Sequence, residues 1–97
     1  MDKYSVDFSK VKYYIEIHEV LKRDLDFPDY YGMNLDALYD CASTLKDVEV
    51  HLFYWYLMVE QLGHYGQLVI ETLSEAAQEN PHFEFVLEEE TEDDVVI

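Results

Sequence analysis

Cysteine occurs once in these 97 residues, at Cys41, so no disulfide can close within the chain, and the composition suits a reducing compartment. Cationic side chains are scarce as well. Six Lys and Arg stand against 22 Asp and Glu, a formal charge of −16. A field of that sign repels nucleic-acid phosphates and anionic membrane surfaces, which argues against direct binding to either, and it draws in basic partners. Long apolar runs are missing: the longest, Leu52 to Val59, is far short of the roughly 20 residues a membrane span requires. No apolar signal core follows the opening Met-Asp-Lys-Tyr, so a cytoplasmic location is expected. The three glycines form no phosphate-cradling loop, and no internal repeat is present.

What remains is a folding composition, 49% apolar and 15% aromatic with nine tyrosines, of a length that allows one domain and one core. Part of the acidity is local. Six of the seven residues from Glu88 to Asp94 are acidic and read as a solvated tail. A domain over residues 1–88 and an acidic C-terminal tail over 89–97 are therefore expected. Outside Glu88 to Asp94, 16 acidic residues still face 6 basic ones. Solubility is the plain explanation of such a surface; attraction of a basic partner is the functional one.

Tyr4, Val6 and Phe8 alternate with polar residues, the pattern of a first strand, and Ser9 to Lys12 reads as a turn. Ile17, Leu21 and Leu25, with Val20, carry a helix that lacks an obvious capping residue before Tyr13 and that Pro28 ends. In the loop that follows, Tyr30 and Tyr31 are expected to be exposed and Gly32 can take a positive φ. Asn34 is a good N-cap for a helix from Leu35 to about Leu45. Val48, Val50 and Leu52 alternate again. The apolar stretch Phe53 to Val59 suits a central strand covered on both faces, running into a short helix from about Leu57 to Leu62. Gly63 to Gly66 reads as a break, Gln67 to Asn80 as an amphipathic helix stopped by Pro81, and His82 to Leu87 as a last strand. Helical crossovers between every pair of strands favour an α/β fold with a small three-stranded parallel sheet packed with about four helices.

On a wheel of about 100° per residue, Leu35, Leu38, Ala42 and Leu45 form the buried stripe of the helix after Asn34, with Cys41 at its margin. Asp36 and Asp40 lie roughly opposite, and Tyr39 falls between the two faces. Asp36 is near enough to the N-terminus for the helix dipole to favour it; Asp40 gains little from it. A like-charge pair four residues apart costs a few tenths of a kcal/mol in an isolated helix. Glu75 and Glu79 form a second such pair, away from Val69, Ile70 and Leu73, and neither pair has a basic residue at i±4. Each pair alone reads as a solvated face; two uncompensated pairs beside exposed tyrosines read equally well as a binding surface.

Catalysis finds no support in the pattern. A general acid–base pair needs one carboxyl in an apolar pocket, which exposed helix carboxylates do not provide. His18, His51, His64 and His82 are scattered without metal-ligand spacing, so packing or surface roles are expected and no metal or cofactor is implied. Cys41, at the edge of the apolar stripe, reads as a small buried residue rather than a nucleophile.

The run Leu25-Asp26-Phe27-Pro28-Asp29-Tyr30-Tyr31-Gly32-Met33-Asn34-Leu35-Asp36-Ala37-Leu38-Tyr39-Asp40-Cys41 resembles the signature of the barstar family of ribonuclease inhibitors. A weaker second match is Ser74-Glu75-Ala76-Ala77-Gln78-Glu79, and the likeness spans about residues 3 to 88. The resemblance implies a three-stranded parallel sheet with helices, no enzymatic activity, and a barnase-like basic ribonuclease as partner, bound in the cytoplasm by a monomer. It implies that Asp40 enters the enzyme's phosphate site and that Asp36 pairs with a further basic group. Tyr30, Gly32, Asn34 and Tyr39 would supply surrounding contacts, Glu75 a second charged contact, and Glu79 the rim. Tyr39 stands where relatives often carry Trp, and Leu45 where an aromatic is common. A barstar-fold module for a different basic protein or toxin is the alternative expectation.

Overall fold

The computed structural model describes residues 1–89. Strand β1 (Asp2–Asp7) is followed by α1 (Tyr14–Asp24), α2 (Leu35–Ser43), β2 (Val48–Phe53), α3 (Trp55–Leu62), α4 (His64–Glu79) and β3 (Phe83–Leu87). The three strands form one parallel sheet in the order β1-β2-β3, with Tyr4 opposite Val50 and Val50 opposite Phe85. Val6, Val48, Val50, Leu52 and Phe83 turn one face of that sheet inward. They meet Ile17 and Leu21 of α1, Leu38 and Ala42 of α2, and Val69, Leu73 and Ala76 of α4 in a single core.

The expected element order holds, while several boundaries move for local reasons. Helix α1 starts without a capping residue before it because Glu16 reaches back. Its carboxylate accepts from the backbone N–H groups of Lys12 at 2.7 Å and Tyr13 at 2.9 Å. Those bonds hold the Glu16 carboxyl below the usual carboxylate range. The helix closes at Asp24, ahead of Pro28. Asp26 takes φ +56° and the Phe27 N–H bonds the Lys22 carbonyl at 3.0 Å, a left-handed C-terminal closure in which Asp stands where Gly is commoner. Helix α2 likewise closes at Ser43, two residues short of the expected end, with the Thr44 N–H and hydroxyl both on the Cys41 carbonyl.

The apolar stretch after β2 departs most from the sequence expectation. Tyr54 takes φ +59° and ends the strand, so Trp55 to Val59 is helix rather than strand. β2 is central, but the sheet is not covered on both faces. Its second face shows exposed Lys3, Ser5, Asp7, Glu84 and Val86, with Glu49, His51 and Phe53 half-buried between them. On this face His51 is hydrogen-bonded by Nε2 to Glu49 and by Nδ1 to Glu88. Glu88 continues the ladder, its N–H on the Leu52 carbonyl and its carbonyl accepting from Trp55 Nε1. It therefore belongs to the packed fold and is not the first residue of a solvated run. The expected tail over 89–97 lies, from residue 90 on, outside the described residues.

The expected break over Gly63 to Gly66 shrinks to Gly63, which takes φ +56° with ψ −126°, a conformation open to glycine. Gly66 is already inside α4. A Cβ there would stand 2.9 Å from Val59 Cα, so this glycine permits the close crossing of α3 and α4.

Candidate binding face

The helix that carries Asp36 and Asp40 is fixed at both ends. At its start Asn34 Oδ1 accepts from the Ala37 N–H at 2.8 Å, while Asn34 Nδ2 donates to the Gly32 carbonyl at 3.1 Å, so one side chain ties loop to helix. At its end the buried Asn80 donates from Nδ2 to the carbonyls of Ala42 (3.1 Å) and Leu45 (2.8 Å). The Ala42 carbonyl in the last turn of α2 and the Leu45 carbonyl just beyond it are thus both held by the residue that caps α4. Leu38 and Ala42, both fully buried, seat the helix on the core and leave Asp36 and Asp40 exposed. Leu35, Cys41 and Leu45 are only half-buried, so the buried stripe is narrower than the wheel suggests.

Helix α4 brings Glu75 to the same place. Leu35, Asp36, Tyr39 and Asp40 of α2 face Thr72 and Glu75 of α4 across one open cleft. Asp40 also borders a second, more apolar depression with Tyr30, Pro28 and Leu45, and Asp36 borders a third with Asn34, Met33, Tyr14 and Tyr65. Five of the residues singled out in the sequence (Tyr30, Asn34, Asp36, Tyr39 and Asp40) together with Glu75 therefore share one continuous surface. Glu79 is exposed one turn beyond Glu75 and does not border these depressions. Thr72 was not anticipated. Its spacing of three before Glu75 on the same helix is the signal that would have found it.

The loop before α2 corrects two expectations. Gly32 does not carry the positive φ; Met33 does, at +58°. Gly32 is instead required by space, since a Cβ there would lie 3.2 Å from Ala37 Cβ and 3.3 Å from Asn34 Nδ2. Tyr31 is not exposed beside Tyr30. Tyr30 is 87% exposed and Tyr31 only 5%, its ring against Phe27 at 4.9 Å and its hydroxyl 2.7 Å from His18 Nδ1. Successive tyrosines thus do opposite jobs, one anchoring the loop and one presented by it.

Among the described residues, Asp36, Asp40, Glu75 and Glu79 enter no ion pair. The cations lie elsewhere in the chain: Lys3, Lys10, Lys12, Lys22 and Arg23 precede α2, and Lys46 follows it. A depression on the α1 side, by contrast, mixes Asp7, Glu16 and Glu19 with Lys10 and Arg23. Burial and the Asp40 carboxylate push the Cys41 thiol up, away from the reactive thiolate. Among the described residues no group of His, Cys, Asp and Glu could hold a metal ion, and no helix is long and apolar enough to cross a membrane.

The three-stranded parallel sheet with its four helices agrees with what comparison of the sequence finds. The family model described as Barstar (barnase inhibitor) matches residues 1–92. The chain belongs to the barstar family. It is also similar to a Bacillus subtilis (strain 168) protein named "Putative ribonuclease inhibitor YrdF", 40% identical over 75 residues that cover 74% of this chain and 82% of that protein.

Proposed function

We propose that this chain is a reversible protein inhibitor of a small basic ribonuclease of the barnase kind, acting in the cytoplasm as the enzyme's immunity partner and performing no catalysis itself. The observation that carries the reading is the uncompensated acidic cleft of α2 and α4 in a member of a family described as barnase inhibitors. A ribonuclease active site concentrates cationic side chains where the substrate phosphate lies. Carboxylates on a packed helix imitate phosphate oxygens without being cleaved.

In this reading Asp40, bordering both the acidic cleft and the Tyr30 depression, enters the phosphate site. Asp36 pairs with a neighbouring cation, and Glu75 meets a second charged group from across the cleft. Tyr30 packs against an enzyme side chain, with Gly32, Asn34 and Tyr39 around it and Glu79 on the rim. Desolvated charged and aromatic anchors are where interface energy concentrates. The long-range field of the acidic face speeds encounter, and this part of the effect falls with salt.

The test is inhibition of RNA cleavage by purified barnase, alongside capture of the native partner on the immobilised protein. Inhibition that collapses in an Asp36→Ala/Asp40→Ala double variant supports the reading. Equal inhibition by wild type and the double variant would overturn the assignment of the face. Capture of a basic partner lacking nuclease activity would replace the ribonuclease with another basic protein or toxin.

A further inference from the structure

His18 is fully buried on α1 and lies between two phenols. Its Nδ1 is 2.7 Å from the Tyr31 hydroxyl and its Nε2 2.7 Å from the Tyr65 hydroxyl. Tyr31 sits between Tyr30 and Gly32 in the presented loop; Tyr65 opens α4, the helix that carries Glu75. One imidazole therefore joins α1 to both parts of the acidic face. Phe27 supports Tyr31 from the side, and Tyr14 stacks obliquely on Tyr65 at 5.4 Å.

We propose that His18 is a positioning residue of the binding face: as a neutral imidazole it fixes the Tyr30–Asn34 loop relative to α4, and its protonation releases that loop. The proposal rests on the inhibitor reading for its consequence and on the geometry alone for its mechanism. A neutral imidazole has one N–H donor and one lone-pair acceptor, so one phenol accepts from it and the other donates to it. Burial holds His18 below the ordinary imidazole range, and burial keeps both Tyr31 and Tyr65 protonated. The titratable groups near this cluster are Tyr31 from the loop, Tyr65 from α4, Tyr14 from α1 and Cys41 from α2, and Asp36 of α2 borders the depression that Tyr14 and Tyr65 line; burial keeps Tyr31, Tyr65 and Cys41 in their neutral forms. Among the described residues no carboxylate is hydrogen-bonded to His18, so no ion pair offsets the burial of an imidazolium there.

Protonation would make both ring nitrogens donors. The phenol that donated must then turn its hydroxyl away inside a site where Tyr31 is buried, and an orphaned buried donor is costly. The outlet is the loop, which has Met33 in the left-handed region and Tyr30 in solvent, rather than the helices packed on the core.

The first measurement requires no partner. Backbone amide exchange and chemical shifts are followed from pH 7 downward in wild type, His18→Gln and His18→Phe. In wild type, the Tyr31 amide, bonded to the Pro28 carbonyl at 2.9 Å, should lose protection and the amide shifts of residues 30–34 should move together with the titration of His18, at pH values where β2 amides remain protected. Gln, which offers a donor and an acceptor but does not titrate, should keep the loop ordered and flatten the profile. Phe, which fills the space and offers neither, should loosen the loop at every pH. A His18→Phe loop as protected as wild type, or a wild-type loop indifferent to the titration of His18, overturns the proposal. If His18→Phe does not fold, the wild-type and Gln profiles decide it. The second measurement is binding to barnase at pH 7, where His18→Phe should dissociate at least tenfold faster and His18→Gln no more than threefold faster. Absence of wild-type binding to barnase counts against the inhibitor reading, and the loop profiles still decide the role of His18.

Discussion

Two sets of carboxylates occupy different surfaces of this molecule under different terms. On the open face of the sheet Glu49 and Glu88 share His51, and the trio closes the C-terminal end of β3 onto β2. On α2 and α4, Asp36, Asp40, Glu75 and Glu79 have no ion-pair partner among the described residues. Carboxylates of the first kind contribute to the fold that contains them. Those of the second kind repel one another at helical spacing and contribute nothing comparable to it. Asn34 at one end of the helix and Asn80 at the other fix that repulsion in place, and the proposed inhibitor role is what would put it to use.

The contrast is broken most directly at Asp40. Asp40→Ala should weaken binding to the cognate ribonuclease by at least about 2 kcal/mol, because it leaves a desolvated enzyme cation unpaired. The same change should leave the thermal midpoint unchanged or slightly raised, since it relieves an i, i+4 repulsion of a few tenths of a kcal/mol. Glu49→Gln should do the reverse, with binding preserved and the midpoint lowered. Isothermal titration and thermal melts on both variants check the pair. A drop in melting temperature for Asp40→Ala matching that of Glu49→Gln would erase the distinction between the two sets.

Asn80 comes next. Asn80→Ala removes the donors that hold the Ala42 and Leu45 carbonyls, at a cost of about 1–3 kcal/mol in stability. It should also weaken binding without touching the partner, because the end of α2 bearing Asp40 loses its support. Wild-type affinity in a folded Asn80→Ala protein would show that the helix needs no such clamp. Glu75→Gln is expected to act more weakly. A charge at the edge of the cleft should change affinity by about 1 kcal/mol or less, mostly through the association rate and its salt dependence. Stopped-flow association at two salt concentrations separates that outcome from a change in dissociation.

How much of this was legible in the sequence depended on whether the cause was local. The Asn34 cap, the apolar stripe of α4 and the opposed placement of Asp36 and Asp40 follow from spacings within one helix, and the structure places them there. The β2–α3 boundary was not legible. Phe53 to Val59 has no polar residue to mark a period, and a short apolar run is ambiguous between strand and helix. The burial of Tyr31 depends on His18 and Tyr65, which lie thirteen residues before it and well after it, and a tyrosine beside an exposed tyrosine carries no mark of this. Gly66 read as a break because glycine punctuates chains; here it is selected by the approach of another backbone. The cleft itself joins two acidic pairs that the sequence shows only as separate helices, and packing of α2 on α4 is what brings Glu75 to Asp36 and Asp40.

The smallest expected effect tests the satisfied carboxylates. Hydrogen bonds to Glu88 and then Glu49 hold His51 above the ordinary imidazole pKa of 6.5, against a smaller opposing effect of burial. Lys3 lies beside Glu49 across the β1–β2 register, and Glu84 lies beside it on β3. The imidazolium is thus favoured in the folded chain and less so in the unfolded one. Its stabilising contribution is fully present below the unfolded pKa and is lost as pH rises through the raised value. His18 runs the other way. Its depressed pKa makes the unfolded chain the better proton binder, so its contribution is full above 6.5 and declines as pH falls toward the folded value. Melting profiles of His51→Gln and wild type should therefore converge as pH rises above neutrality, and those of His18→Gln and wild type should converge as pH falls below it. A wild-type advantage over His51→Gln that grows with rising pH would mean that the two carboxylates of the sheet face are not held by a protonated histidine.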